Sequence, residues 1–223
     1  MAFPALAQQD VDGEPKGGKW PQASLRAEAS EQIAQDTVRI TLASEVSDAT
    51  QSAVAKVLST TLQSVMSDAK GNPKVEVSSG NYHVWPMNDE QGKISNWRGR
   101  GEIYLKSMDF AAASELAAKL GDRMPIANLD FSVSPQARAK HEEALLTQAV
   151  QAFGDRAKAL TDALGFESYA IRNIDLSGAG AQYHPAQRMV GMAADKASVP
   201  LEGGMETVTV SIRGSIFLQT TQK

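Results

Sequence analysis

Apolar residues recur at steps of four and three along one long stretch of the chain, between residues 134 and 165. One face of a helix has this spacing, so the pattern predicts a single long amphipathic helix over about 135–164. Ser134 can cap its first amides, Pro135 suits the first helical position, and Gly165 suits a left-handed end. The predicted apolar stripe consists of Leu146, Val150, Phe153, Ala157, Leu160 and Leu164. A helix with one such stripe needs a flat apolar partner, and a β-sheet provides one.

Apolar and polar residues alternate on both sides of this helix, as they do in strands that are buried on one face. The predicted strands cover residues 25–29, 37–46, 74–85, 94–106, 126–133, 166–176 and 208–218. Two shorter helices are predicted, one starting at Ser47 or Asp48 and ending near Ala69, the other over 110–120. The predicted fold is α+β: an antiparallel or mixed β-sheet of about seven strands roofed by three helices, the longest about 135–164.

The strand over 74–85 changes its apolar parity partway along, between Val77 and Tyr82. A one-residue slip inverts the two faces of a strand, so a β-bulge is expected near Ser79-Gly80. On the next strand, Gly99 and Gly101 occupy positions on the apolar face. The strands over 74–85 and 94–106 are predicted to pair as a hairpin. The two glycines leave room for a large neighbour, and we expect Tyr82 or Trp85 from across this hairpin to fill it.

Residues Ser177–Gly204 form a long segment rich in Gly, Ala and Met, without a clear period. Loops of this length in compact domains are usually functional or disordered. Met189 and Met192 of this segment stand close in sequence to Met205. A methionine surface adapts to partners or takes up oxidant reversibly, although gap-filling methionines in a flexible arm are the simpler interpretation.

The bulk composition narrows the classes of partner. The chain has 223 residues, a net charge of −4 and no block of basic residues, which disfavours nucleic-acid binding. No apolar run approaches the roughly 20 residues of a membrane-spanning helix, so no transmembrane segment is predicted. There is no cysteine, which removes disulfides and thiolate chemistry.

Residues 1–23 are predicted to be a flexible N-terminal arm, followed by one α+β domain over 24–223. Ala5-Leu6-Ala7 has the small-x-small pattern at the end of a signal peptide, although an incidental terminus has the same look. Gly13 to Trp20 nearly spells a phosphate-binding loop, but Trp20 stands where a magnesium-binding hydroxyl is required.

No residue pattern indicates catalysis, a cofactor or a metal. The three histidines, His83, His141 and His184, have no second ligand at metal spacing. Ser67-Asp-Ala-Lys70 has the spacing of an acyl-enzyme hydrolase without either companion motif. We therefore expect a protein that is not an enzyme and needs no cofactor.

The hairpin is the second candidate contact surface besides the long segment. Trp85, Trp97, Arg98 and Arg100 are close together there, and Trp and Arg are enriched at interaction hot spots. The plainer interpretation is a two-faced strand, with tryptophan inward and arginine outward.

Two stretches of the chain resemble the SIMPL-domain family, which includes bacterial periplasmic immunogenic and oxidative-stress-defence proteins. The first is Ile126-Ala-Asn-Leu-Asp-Phe-Ser-Val-Ser-Pro135 with the Ala-rich helix from Glu143 to Leu160. The second runs from Ala194 to Val210, with Val199-Pro200, Gly204-Met-Glu206 and Val208-Thr-Val210. The resemblance extends over about 25–218.

The resemblance implies an exported, periplasmic protein of the Gram-negative envelope that assembles into rings or larger oligomers, with no established catalytic residues. The predicted function is thus non-enzymatic, stress-related action through homo-oligomeric assembly or binding, with an envelope component as a further partner. The alternative is a monomeric binding module for a small ligand or an envelope component.

Overall fold

A computed structural model describes residues 20–176 and 201–220. The elements follow one another as β1 (Gln22–Ala34), β2 (Thr37–Asp48), α1 (Gln51–Ala69), β3 (Glu76–Asn88), β4 (Ile94–Ser107), α2 (Phe110–Leu120), β5 (Ile126–Ser132), α3 (Pro135–Ala163), β6 (Ser168–Asp175) and β7 (Met205–Gln219). The α+β class, the seven strands and the three helices are confirmed. All strands are antiparallel, and they form two sheets instead of one.

The chain forms two compact units. The described residues of the first unit are 20–28, 148–176 and 211–220, and those of the second are 29–147 and 201–210. The three-stranded sheet has the order β1-β7-β6, and the four-stranded sheet has the order β3-β4-β2-β5. Residues 1–19 lie outside the described part of the chain, so the predicted boundary at residue 23 stays a prediction. Residues 177–200 of the long segment also lie outside it.

The core of the second unit lies between one face of the four-stranded sheet and the helices α1 and α2. The alternation predicted for β2 is confirmed, because Val38, Ile40 and Leu42 are fully buried in this core. Helix α1 buries Val54, Leu58, Val65 and Ala69, which lie on one face, and Leu62 beside them is partly exposed. Thr50 caps this helix instead of Ser47 or Asp48, because β2 continues to Asp48 and uses those residues as strand.

The glycines of β4 let helix α1 approach the sheet closely. A Cβ on Gly99 would lie 2.4 Å from Val54 Cγ1 and 2.8 Å from Leu58 Cδ1, and one on Gly101 would lie 2.9 Å from Leu62 Cδ1. The expected space beside the glycines is therefore present, but the side chains of α1 fill it. The prediction of Tyr82 or Trp85 as the occupant was wrong, because the nearest atoms belong to Val54, Leu58 and Leu62 of α1, joined at Gly99 by Val84 Cγ2 of β3 at 3.2 Å.

The bulge in β3 is confirmed, since the β3–β4 register shifts between Ser79 and Tyr82. A short loop over residues 89–93 joins β3 to β4. Gly92 has a φ of 78°, and the Asp89 side chain accepts hydrogen bonds from the amides of Gln91 and Lys93. Asx-type turns of this kind satisfy loop amides locally.

Both predicted ends of α3 are confirmed. Ser134 Oγ accepts from the amide of Ala137 at 3.3 Å, and Gly165 has a φ of 76°. The amide of Phe166 donates to Thr161 O and that of Gly165 to Asp162 O, as in a left-handed helix end. No described helix combines the length and the apolar composition that are needed to cross a bilayer.

The predicted apolar stripe of α3 is wrong in part. Its buried residues follow one row at steps of four: Leu145, Ala149, Phe153, Ala157 and Thr161. Val150 and Leu164 are 50% and 54% exposed. Small residues such as Ala149 and Ala157 allow a helix to pack closely against the neighbouring elements. The hydroxyl of Thr161 is buried but hydrogen-bonded, since it donates to Ala157 O at 2.7 Å. A pattern search weighted towards large apolar residues overlooks such positions.

Two hydrogen bonds attach the residue before α3, Ser134, to the β1–β2 turn of the second unit. Asp36, in the β1–β2 turn, accepts from the Ser134 amide at 2.6 Å and from Ser134 Oγ at 2.7 Å. Partial burial acts to raise the pKa of Asp36, but the bonds from Ser134 and Thr37 outweigh it and lower that pKa. Next to it, Gln35 exchanges hydrogen bonds with the backbone of Gly204 at 2.9 Å.

We expect Gly99→Ala to destabilise the second unit by about 1–3 kcal/mol, because the new methyl overpacks the contact with Val54 and Leu58. Gly71→Ala is the matched control, since a Cβ there meets nothing within 4 Å. Urea unfolding of the two variants measures the difference. Equal stabilities would contradict the close contact.

We expect Asp36→Asn to reduce stability in a pH-dependent way. A lowered carboxyl pKa stabilises the folded state above the unfolded pKa of about 3.9, and this contribution disappears as the pH falls through the folded value. The difference in unfolding free energy between wild type and variant should be full at pH 7 and narrow below about pH 4. Urea unfolding at each pH measures these free energies. The exposed Asp122→Asn variant, with the same charge change, should differ little from wild type at every pH.

Candidate functional site

The histidines are placed in separate environments. His83 stacks on Trp85 with ring centroids 5.4 Å apart, His141 Nδ1 lies 2.9 Å from Glu31 Oε2, and His184 lies outside the described residues. Within 20–176 and 201–220, no three His, Asp or Glu side chains gather as metal ligands would. Ser67 and Lys70 are exposed at the last turn of α1.

The methionine hypothesis is left largely untested. Met189 and Met192 lie outside the described residues, as do residues 13–19 of the phosphate-loop pattern. Met205 begins β7 and is 58% exposed. Met205 is therefore accessible, while the grouping of the three methionines stays a prediction.

The hairpin carries a polar open face on the side of the four-stranded sheet away from α1 and α2. Trp85 lies directly opposite Arg98, and His83 directly opposite Arg100, so these four side chains share that face. Trp97, in contrast, has the parity of Gly99 and lies on the helix-covered face. The interpretation with tryptophan inward therefore holds for Trp97 and is wrong for Trp85, because the bulge reverses the parity of β3.

Glu102 is the centre of a hydrogen-bond network on this open face. Its carboxylate accepts from Arg100 Nε at 3.0 Å, from Asn81 Nδ2 at 3.0 Å and from the Tyr104 hydroxyl at 3.3 Å. Only 12% of its side chain is exposed. Burial acts to raise the pKa of Glu102, but the Arg100 bond and charge, with Asn81 and Tyr104, lower it. Arg39 adds a cation–π contact, 5.2 Å from the Tyr104 ring centroid.

The first unit carries a groove of about 540 Å³ on its three-stranded sheet, called here the arginine groove. Arg26 of β1, Arg172 of β6 and Arg213 of β7 line it, together with Asp175. Arg213 is on the sheet face opposite to Ile212 and Ile216, which are buried. Phe153 of α3 approaches the buried face at Gly214, where a Cβ would lie 3.0 Å from its ring. The groove is therefore on the face away from this half of α3.

Strand β6 is an edge of the three-stranded sheet, paired with β7 alone among the described strands. Three large apolar side chains are exposed along and just after it: Ile171 at 53%, Ile174 at 44% and Leu176 at 55%. The register with β7 shifts between Ile171 and Asn173, which places Arg172 at a bulge. The first unit thus combines an apolar strand edge with a cationic groove.

Sequence reasoning found the hairpin residues and missed the arginine groove. Arg26, Arg172 and Arg213 are far apart in sequence and come together only because β7 lies between β1 and β6. The alternation around Arg213 was the one available signal, since it placed this arginine on the polar face of a clear strand.

These features define an α+β protein of two antiparallel sheets whose described polar clusters are hydrogen-bonded networks and arginine-lined surfaces. Residues 23–216 match the model of the SIMPL family, whose description is "Protein of unknown function (DUF541)". The chain belongs to this family. The sequence resemblance is therefore confirmed.

No curated protein matches this sequence. Among solved structures, the crystal structure of AtUAH in complex with glyoxylate shows 14% sequence identity and a TM-score of 0.22. The match covers 56% of this chain and 33% of that one, so this chain spans about a third of that protein's length.

We expect Glu102→Gln to cost about 1–2 kcal/mol of stability, because an amide cannot accept from Arg100, Asn81 and Tyr104 together and leaves donors unsatisfied. Glu45→Gln is the control: Glu45 pairs with Arg98 at 3.2 Å on the same face, but both side chains are 45% exposed. Such an exposed pair contributes about 0–1 kcal/mol. Urea unfolding at pH 7 ranks the two, and a larger loss in Glu45→Gln would contradict the central role of Glu102.

Proposed function

We propose that this SIMPL protein is a non-enzymatic, exported component of the Gram-negative cell envelope that acts through assembly with copies of itself, in a stress-related role. The exposed apolar edge at β6 is the observation that carries the proposal. An edge strand presents unpaired amides and carbonyls, and neighbouring apolar side chains favour pairing with a further strand. A second copy of β6 supplies both.

One common protection of an edge strand, a charged side chain along it, is weakened at β6. Charged side chains on an edge usually deter pairing. Here Arg172 reaches back over the sheet, donates to Gln22 Oε1 at 2.7 Å and lies 5.8 Å from the Phe217 ring centroid. Its charge is therefore held over the face and not along the edge, which leaves Ile171 and Ile174 accessible there.

The ionisation of Asp36 and Glu102, the two carboxylates at the centre of hydrogen-bond networks, fits the non-enzymatic part of the proposal. A general acid or base works best with a pKa near the working pH. The pKa values of Asp36 and Glu102 are lowered by their hydrogen-bond partners, away from neutrality. These carboxylates are thus suited to structural hydrogen bonding.

The monomeric binding module remains the second candidate, favoured by the arginine groove. A ligand that binds only the native state raises its melting temperature. Thermal melting with a panel of metals, nucleotides, lipids and sugars therefore tests this alternative separately from assembly.

Static light scattering tests assembly through β6. We expect a wild-type mass several times the 23.8 kDa of one chain and a mass near 23.8 kDa for the variant Ile171→Lys with Ile174→Lys. Two ammonium groups on an edge disfavour its desolvation and pairing.

The matched control is Val57→Lys with Val150→Lys, which adds the same charge at two helical positions that are 45% and 50% exposed. This control should keep the wild-type mass, and circular dichroism should show both variants folded. A monodisperse wild-type monomer at micromolar concentration would contradict assembly. Full assembly of the β6 variant would exclude this edge as the interface.

A further inference from the structure

The arginine groove concentrates positive charge on a chain whose net charge is negative. Among the described residues that line it, three carry a guanidinium group, Arg26, Arg172 and Arg213, and one carries a carboxylate, Asp175. The chain as a whole carries a charge of −4. Like charges repel, so a surface on which guanidinium groups outnumber carboxylates favours an anion that relieves the repulsion.

Arg172 is held in place before any ligand binds. Its Nη1 donates to Gln22 Oε1 at 2.7 Å, and its guanidinium lies 5.8 Å from the centroid of the Phe217 ring. These two contacts hold the side chain across β7 from β6 to β1. A guanidinium has five N–H donors, so one bond to Gln22 leaves several for a ligand. A positioned arginine loses less conformational entropy on binding than a free one.

Arg213 and Arg26 complete the cationic lining. Arg213 lies directly opposite Asp175 in the β6–β7 register and is exposed. Arg26 pairs with Glu28 at 3.2 Å, but both side chains are more than half exposed. Exposed pairs of this kind contribute little, so a stronger anion can replace Glu28 as the partner of Arg26.

We propose that the arginine groove binds a phosphate group, carried either by a free small molecule or by the headgroup of an anionic lipid. A phosphate monoester, either free or as the headgroup of phosphatidic acid, has a charge of about −1.5 to −2 near neutrality and three acceptor oxygens, which suit several arginine donors. A carboxylate brings one charge and two oxygens. The inference rests on the binding-module candidate and does not require assembly.

The experiment compares wild type with Arg172→Gln/Arg213→Gln. The matched control is Arg98→Gln/Arg123→Gln, which removes the same charge from two exposed arginines of the second unit. Calorimetric titration with inorganic phosphate, against chloride at equal ionic strength, measures the free anion. Co-sedimentation with phosphatidylcholine vesicles that contain phosphatidic acid, against vesicles of phosphatidylcholine alone, measures the lipid headgroup. The single variant Arg213→Gln serves if the double variant melts at a lower temperature than wild type.

We expect saturable binding by wild type and control, and at least tenfold weaker binding by the groove variant. Binding of phosphate without vesicles identifies a free ligand, binding of vesicles without phosphate identifies the headgroup, and either result supports the groove. Absence of both, an undiminished groove variant, or an equal loss in the control would overturn it. Light scattering on the same samples separates the assembly proposal from the phosphate site. A wild-type monomer that binds phosphate would contradict assembly and still support the groove.

Discussion

Within each unit, helices cover one face of the sheet, and this one-sided cover determines what the other face can do. Antiparallel strands alternate their side chains, so a covered apolar face implies a polar face on the other side. In the second unit, α1 and α2 cover the face of Ile40 and Leu105. In the first unit, Phe153 of α3 approaches the face of Ile216. In the second unit, the uncovered side of the sheet is the hairpin face. In the first unit, it is the side that carries the arginine groove.

Glycine determines how closely the cover can approach. Gly99 and Gly101 allow α1 to press its branched side chains onto β4, and Gly214 lies beneath the Phe153 ring. Dense packing of this kind has no space for one more methyl group, because protein interiors are filled nearly as well as organic crystals. Each glycine therefore acts through the absence of its Cβ at a close contact, with a negative φ at all three positions.

The polar groups near the core serve cohesion. Asp36 bonds both the amide and the hydroxyl of Ser134, and Glu102 bonds Arg100, Asn81 and Tyr104. Each carboxylate remains ionised at neutral pH because its donors favour the charged form. The arginines of the groove are different, since three of them line it with one carboxylate, Asp175, among the described lining residues.

The sequence by itself determined the class of fold, most of the elements and several local devices. Alternation located β2 and β7, Ser134 and Gly165 marked the ends of α3, and a change of parity revealed the bulge near Ser79. These features depend on neighbours within one strand or one helical turn, so a linear pattern contains them.

Tertiary structure alone decided the division into two sheets, the occupant of the space beside Gly99, the buried row of α3 and the arginine groove. A pattern states which side of an element is apolar, but it does not state which element lies there. Arg26, Arg172 and Arg213 stand on three strands separated by long stretches of chain, and only the order β1-β7-β6 makes them neighbours. Long-range pairing is a property of the whole chain, which is why local spacing could not reveal it.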